Sequence, residues 1–122
     1  MQTKIAFFDI DGTLIDMQSK RITEKTLEAL QRLRAGGVKI CLATGRSPVA
    51  LPVFPGVEFD AYLTFNGSLC YTAGGETIFS NPIAHEDVQK IIANGAAIGR
   101  PACVSVRDRL AANGRTVVLG LA

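Results

Sequence analysis

Apolar residues cluster in three short runs within the first 65 positions of the chain. The runs cover residues 4–10, 38–43 and 61–65, and amphipathic or turn-rich segments separate them. The second run is almost continuously apolar, which is typical of parallel strands covered on both faces. We therefore predict three strands whose connections cross over the sheet, as in a doubly wound parallel sheet of the α/β class.

The segment between the first two runs has the features of a helix. Leu27, Leu30 and Leu33 recur at helical spacing, and Thr23 is a favourable N-cap residue. Ser47 followed by Pro48 predicts a second helix start, which the prolines and glycine of residues 52–56 should keep short.

The pattern changes after residue 67. Residues 68–71 and 76–79 flank a Gly-Gly pair and predict a β-hairpin, and residues 86–98 have the spacing of a helix. Residues 102–106 and 116–122 resemble strands, and Asn113-Gly114 predicts a hairpin turn between them.

Composition and charge narrow the possible classes of function. The chain of 122 residues is 48% hydrophobic, 20% charged and has a net charge of +2, without basic clusters large enough to indicate nucleic acid or a membrane surface. The N-terminus lacks the features of a signal peptide. The odd number of cysteines, three, indicates reduced thiols in a cytoplasmic protein rather than disulfides.

Two acids follow the first apolar run. Asp9 and Asp11 are one residue apart, and Gly12-Thr13 comes next. Ligands bind at the carboxyl ends of strands in open α/β sheets, so such a pair can divide the tasks of nucleophile or metal ligand and proton donor. For the Asp-x-Asp pair alone, a solvated turn after the strand is the favoured interpretation.

The longer string Phe-Phe-Asp-Ile-Asp-Gly-Thr-Leu, residues 7–14, resembles the first motif of the haloacid dehalogenase (HAD) superfamily. The resemblance implies that Asp9 attacks phosphorus and that Asp11 is the general acid/base. It further implies that the Asp9 carboxylate and the Asp11 main-chain carbonyl bind Mg²⁺, a cation that prefers oxygen ligands. Backbone N–H groups of Gly12 and Thr13 would cradle the phosphoryl oxygens.

Polar residues also follow the other two predicted strands. Ala-Thr-Gly-Arg at residues 43–46 resembles the second motif of Cof-like sugar phosphatases, in which Thr44 and Gly45 would hold the phosphoryl group. Arg46 either contacts phosphate or lies on the surface. Asn66 matches a segment near the active site of the same subfamily, which implies that it contacts the phosphoryl group, although Asn-Gly alone favours a tight turn.

The resemblance implies a Rossmann-like core with a hairpin flap, over residues 1–81, and the start of an α/β cap domain, over residues 82–122. The superfamily's later Lys and acidic metal-binding motifs have no counterpart in the sequence. We therefore expect part of a Mg²⁺-dependent phosphatase for small phosphorylated metabolites such as sugar phosphates. A phosphosugar mutase and a non-catalytic binding or assembly module are alternatives, and the first strand would leave an exposed sheet edge open to self-association.

Overall fold

The computed structural model describes residues 2–114, which divide into two compact units. The first unit comprises residues 2–46 and 50–81, and the second comprises residues 47–49 and 82–114. That the second unit begins a cap domain stays a prediction. The strand predicted at residues 116–122 lies outside the described residues.

A five-stranded mixed sheet forms the centre of the first unit. Its strands follow one another in chain order, β1 to β5; the first three are parallel and the last two antiparallel. This arrangement confirms the predicted α/β class, and the predicted hairpin extends the sheet. The strands are β1 (Ile5–Phe8), β2 (Lys39–Ala43), β3 (Ala61–Thr64), β4 (Leu69–Thr72) and β5 (Thr77–Ser80).

Helix α1 (Glu24–Ala35) packs one apolar face onto the sheet. As predicted, Thr23 caps it, because the Thr23 hydroxyl oxygen accepts the Thr26 N–H at 3.2 Å. Leu30 is only 2% exposed and belongs to the main hydrophobic core. The other buried residues of this core are Ile10, Leu14, Ile15, Ile40, Leu42, Phe54 and Phe59.

The first strand is shorter than predicted and lies at the sheet edge. It ends at Phe8 because the Ile10 carbonyl accepts three successive N–H groups, those of residues 13–15, which turns the chain out of the strand. In the strand order of residues 2–114, β1 pairs with β2 alone. Ile5 and Phe7 are 45% and 53% exposed, so the strand is not buried in this unit.

Two further elements differ from expectation. The helix predicted after Ser47 is a single 3₁₀ turn, Pro48–Ala50, followed by an irregular segment that contains two more prolines. The third strand ends at Thr64, one residue early, because Phe65 and Asn66 adopt left-handed backbone conformations.

The second unit contains helix α2 (His85–Ala97) and a hairpin of strands β6 (Cys103–Ser105) and β7 (Leu110–Ala112). Strand β7 was not predicted. The turn between the strands lies at residues 106–109. Asn113 exchanges two hydrogen bonds with Ala102 at the open end of the hairpin. The predicted hairpin turn at Asn113-Gly114 leads into residues 116–122, which lie outside the described residues, so it stays a prediction. Neither helix within residues 2–114 is long and apolar enough to cross a membrane.

Candidate active site

Strand register brings the predicted site residues to one edge of the sheet. Phe8 of β1 is paired with Leu42 of β2 in parallel register, so the segments that follow these strands leave the sheet side by side. Asp9 begins the first segment and Thr44 begins the second. The carboxyl ends of parallel strands are the usual location of ligand sites in such sheets.

The loop after β1 is closed by its own hydrogen bonds. Gly12 has φ of 81°, a conformation that favours glycine. Its N–H donates to the Ile15 carbonyl at 2.9 Å, and the Thr13 N–H donates to the Ile10 carbonyl at 3.2 Å. The two N–H groups predicted to cradle a phosphoryl group therefore donate to carbonyl groups within the loop instead.

Asp9 presents an exposed carboxylate at the start of this loop. Its Oδ1 atom accepts the Ile10 N–H at 2.9 Å, which ties one oxygen to the backbone of a fully buried residue. Because the remaining lone pairs face solvent, the group can approach an incoming ligand.

Arg46 joins the loop after β2 to the loop after β1. Its Nε donates to Asp11 Oδ2 at 3.0 Å and its Nη2 donates to Asp11 Oδ1 at 2.7 Å, a bidentate ion pair. Its Nη1 also donates to the Ala50 carbonyl at 2.9 Å. The hydrogen bonds from Arg46, with a smaller contribution from the charge of Lys20, hold the pKa of Asp11 below its ordinary value.

Thr44 is buried, with 5% of its surface exposed, and is fixed at both its backbone and its side chain. Its N–H donates to the Leu63 carbonyl at 2.9 Å. Its Oγ1 accepts the Arg46 N–H at 3.0 Å, which occupies a lone pair of the hydroxyl but not its O–H donor. The hydroxyl can therefore still donate to a phosphoryl oxygen.

Asn66 lies against the same loop. Its N–H donates to the Thr44 carbonyl at 3.0 Å, and its backbone is left-handed, with φ of 57° and ψ of 34°. A Cβ atom placed on Gly45 would lie 2.9 Å from Asn66 Oδ1, so the amide of this side chain rests against the glycine.

The described residues fit only part of a Mg²⁺ site. The Asp9 carboxylate is a suitable oxygen ligand, but the Asp11 carboxylate is engaged by Arg46, which leaves the predicted Asp11 main-chain carbonyl. No group of three or more His, Cys, Asp or Glu side chains within residues 2–114 is arranged to hold a metal.

Sequence reasoning missed two contributors to the site. Lys20 lies in the loop before α1, where its charge lowers the pKa of Asp11. The Ala50 carbonyl anchors Arg46. No sequence signal marks either residue, because loop geometry alone brings Lys20 near Asp11 and the Ala50 carbonyl to Arg46.

Comparisons with known proteins show the family to which the chain belongs. The sequence profile of the haloacid dehalogenase-like hydrolases matches residues 6–115, and the chain belongs to this family. It is 36% identical over 91 residues to an HMP-PP phosphatase from Klebsiella pneumoniae, an alignment that covers 73% of this chain and 33% of the relative. It is 26% identical over 113 residues to the putative phosphatase YkrA from Bacillus subtilis, covering 92% of this chain and 43% of the relative.

Solved structures give the same picture. A HAD subclass IIB sugar phosphatase superimposes with a TM-score of 0.79 and 34% identity, covering 90% of this chain and 44% of that one. A second structure, of a phosphoryl-transfer superfamily member, gives a TM-score of 0.80 and 33% identity, with coverage of 91% and 44%. The chain thus spans less than half the length of these relatives.

Proposed function

We propose that this chain is the part of a Mg²⁺-dependent phosphatase that carries the nucleophile. The observation that supports this most strongly is the bidentate Asp11–Arg46 pair, because it joins the two loops that follow the neighbouring strands β1 and β2. The exposed Asp9 carboxylate and the Thr44 hydroxyl belong to the same two loops.

In this proposal, an Asp9 carboxylate oxygen attacks phosphorus and the bond from phosphorus to the leaving oxygen breaks. Asp11 gives its proton to that oxygen and later takes one from the water that hydrolyses the aspartyl phosphate. The Thr44 hydroxyl donates to a phosphoryl oxygen. Mg²⁺, held by the Asp9 carboxylate and the Asp11 main-chain carbonyl, would supply positive charge that reduces repulsion between the carboxylate and the phosphate.

Arg46 would change partners during this cycle. While it is paired with Asp11, the lowered pKa of that carboxyl favours the ionised form, which suits a base but not an acid. A phosphoryl group carries the same kind of paired oxygens as a carboxylate, so it can compete for the guanidinium. Transfer of Arg46 to the phosphoryl group would release Asp11 to bind a proton.

The names of the relatives suggest the substrate class. They include an HMP-PP phosphatase, a sugar phosphatase and a pyridoxal phosphate phosphatase from Escherichia coli that is 31% identical over 80 residues. We propose a small phosphorylated metabolite as the substrate, with cytoplasmic localisation.

The experiment is hydrolysis of p-nitrophenyl phosphate with Mg²⁺ by the wild-type chain and by Asp9→Asn. We expect a weak wild-type rate, because the described residues supply only part of a metal site, and its loss in Asp9→Asn. Asp87→Asn, in the first turn of α2, is the matched control and should retain the rate. A rate that persists in Asp9→Asn would exclude Asp9 as the nucleophile.

A further inference from the structure

The loop of residues 44–46 and the turn that follows β3 are in contact at the site, where Gly45 lies against the Asn66 side chain. The turn Phe65–Gly67 is joined to the loop of residues 44–46 by two main-chain hydrogen bonds. The Asn66 N–H donates to the Thr44 carbonyl and the Phe65 N–H donates to the Arg46 carbonyl, both at 3.0 Å. These bonds hold the backbone on either side of Gly45.

The turn can make both bonds because its backbone is left-handed at three successive residues. The φ angles are 50° at Phe65, 57° at Asn66 and 92° at Gly67. Asn adopts this conformation more readily than other residues with a Cβ atom, and Gly adopts it without steric cost. Residue 66 is therefore restricted by its backbone, independently of any contact its amide makes.

Gly45 is restricted for a different reason. Its φ is outside the left-handed region, so its backbone would accept alanine, but the added Cβ would lie 2.9 Å from Oδ1 and 3.5 Å from Cγ of Asn66. The three heavy atoms nearest to that position all belong to the Asn66 side chain, so this side chain is the first that an alanine at residue 45 would meet.

We propose that Gly45 and Asn66 act together as positioning residues, which hold the Thr44 hydroxyl and the Arg46 guanidinium in place through the backbone contacts of the left-handed turn. This inference rests on the proposed function for the roles of Thr44 and Arg46, and it reassigns Asn66 from the predicted phosphate contact to positioning. It explains why both residues lie at the site although the Asn66 side chain does not bridge to either acid.

The test compares three substitutions in the full chain by following the NMR signal of the Arg46 Nε–H, which donates to Asp11. Asn66→Gly should keep the signal of the paired guanidinium, because glycine retains the left-handed turn. Asn66→Ala should reduce the paired population about fivefold or more, because alanine disfavours that backbone. Gly45→Ala should also disturb the signal, and Asn66→Gly in the same chain should restore it.

Gly74→Ala is the control, since its nearest contact would be 3.8 Å away. A signal unchanged in both Asn66→Ala and Gly45→Ala would overturn the proposal. So would a Gly45→Ala defect that Asn66→Gly fails to restore. Because the signal reports the Arg46–Asp11 pair without any turnover, a chain lacking phosphatase activity could still pass this test, and an active chain could still fail it.

Discussion

Replacing Thr44 by Val would remove a buried hydroxyl while nearly preserving the shape of the side chain. In the folded protein this hydroxyl accepts the Arg46 N–H at 3.0 Å, and Thr44 is 5% exposed. A buried hydrogen bond contributes about 1 kcal/mol, and a donor left without a partner costs about 1–3 kcal/mol. Since Arg46 is only partly buried, we expect the free energy of unfolding to fall by about 1–2 kcal/mol.

Urea denaturation measures this loss. With a slope of about 2 kcal/mol per molar urea, the midpoint should fall by roughly 0.5–1 M in Thr44→Val. Thr44→Ser retains the hydroxyl and should retain most of the hydrogen-bond contribution, so it is the matched control. The reasoning would be refuted if Thr44→Ser lost as much stability as Thr44→Val, because the methyl group and not the hydroxyl would then determine the effect.

Further predictions test the packing and the electrostatics of the first unit, and the ionisation and reactivity of cysteines in the two units. Leu30→Ala, at a position 2% exposed, should lower the unfolding free energy by about 2–5 kcal/mol in urea titrations, and a loss below 1 kcal/mol would contradict its place in the core. Arg34→Ala should cost under about 1 kcal/mol, and less at high salt, because both acids paired with Arg34 are partly exposed. Burial raises the pKa of Cys41 above its ordinary 9.0. The stability that the buried, neutral Cys41 thiol contributes is therefore complete below pH 9 and is lost as the pH rises through the pKa of the folded state. A thiol reagent should modify the exposed Cys103 before the buried Cys41.

The sequence was sufficient to predict strands β1 to β5 and the edge of the sheet at which Asp9 and Thr44 lie. Apolar runs of strand length alternate with a capped amphipathic helix, and these local signals survive in β1, β2, β3 and α1. The positions of Asp9 and Thr44 followed from the parallel order of two strands, which short connections and handedness favour.

The contacts between loops could not be predicted in this way. The Arg46–Asp11 pair joins residues 35 positions apart, and the sequence left open whether Arg46 would bind phosphate or lie on the surface. Arg34 illustrates the same point, since it pairs with Glu58 and Asp60 across the fold. Side-chain pairs of this kind depend on loop conformations that no periodic pattern encodes.

Turns were harder to predict from the sequence than strands. The Asn-Gly pair at residues 66–67 does form a tight left-handed turn, whereas no Asn-Gly pair lies between β6 and β7. The hairpin turns at Arg107-Asp108 instead, where no glycine marks the site. Short strands such as these are held by tertiary pairing, so the local turn signal is weaker than the register that the hairpin adopts.

The central claim is that Asp9 accepts the phosphoryl group, and binding of beryllium fluoride with Mg²⁺ tests it most directly. This probe mimics a phosphoryl group attached to a carboxylate, so it reports the nucleophile without requiring turnover. By calorimetry we expect saturable binding to the wild-type chain and its loss in Asp9→Asn, with binding retained in Asp87→Asn. Equal binding by wild type and Asp9→Asn, or no binding by the wild type, would contradict the account.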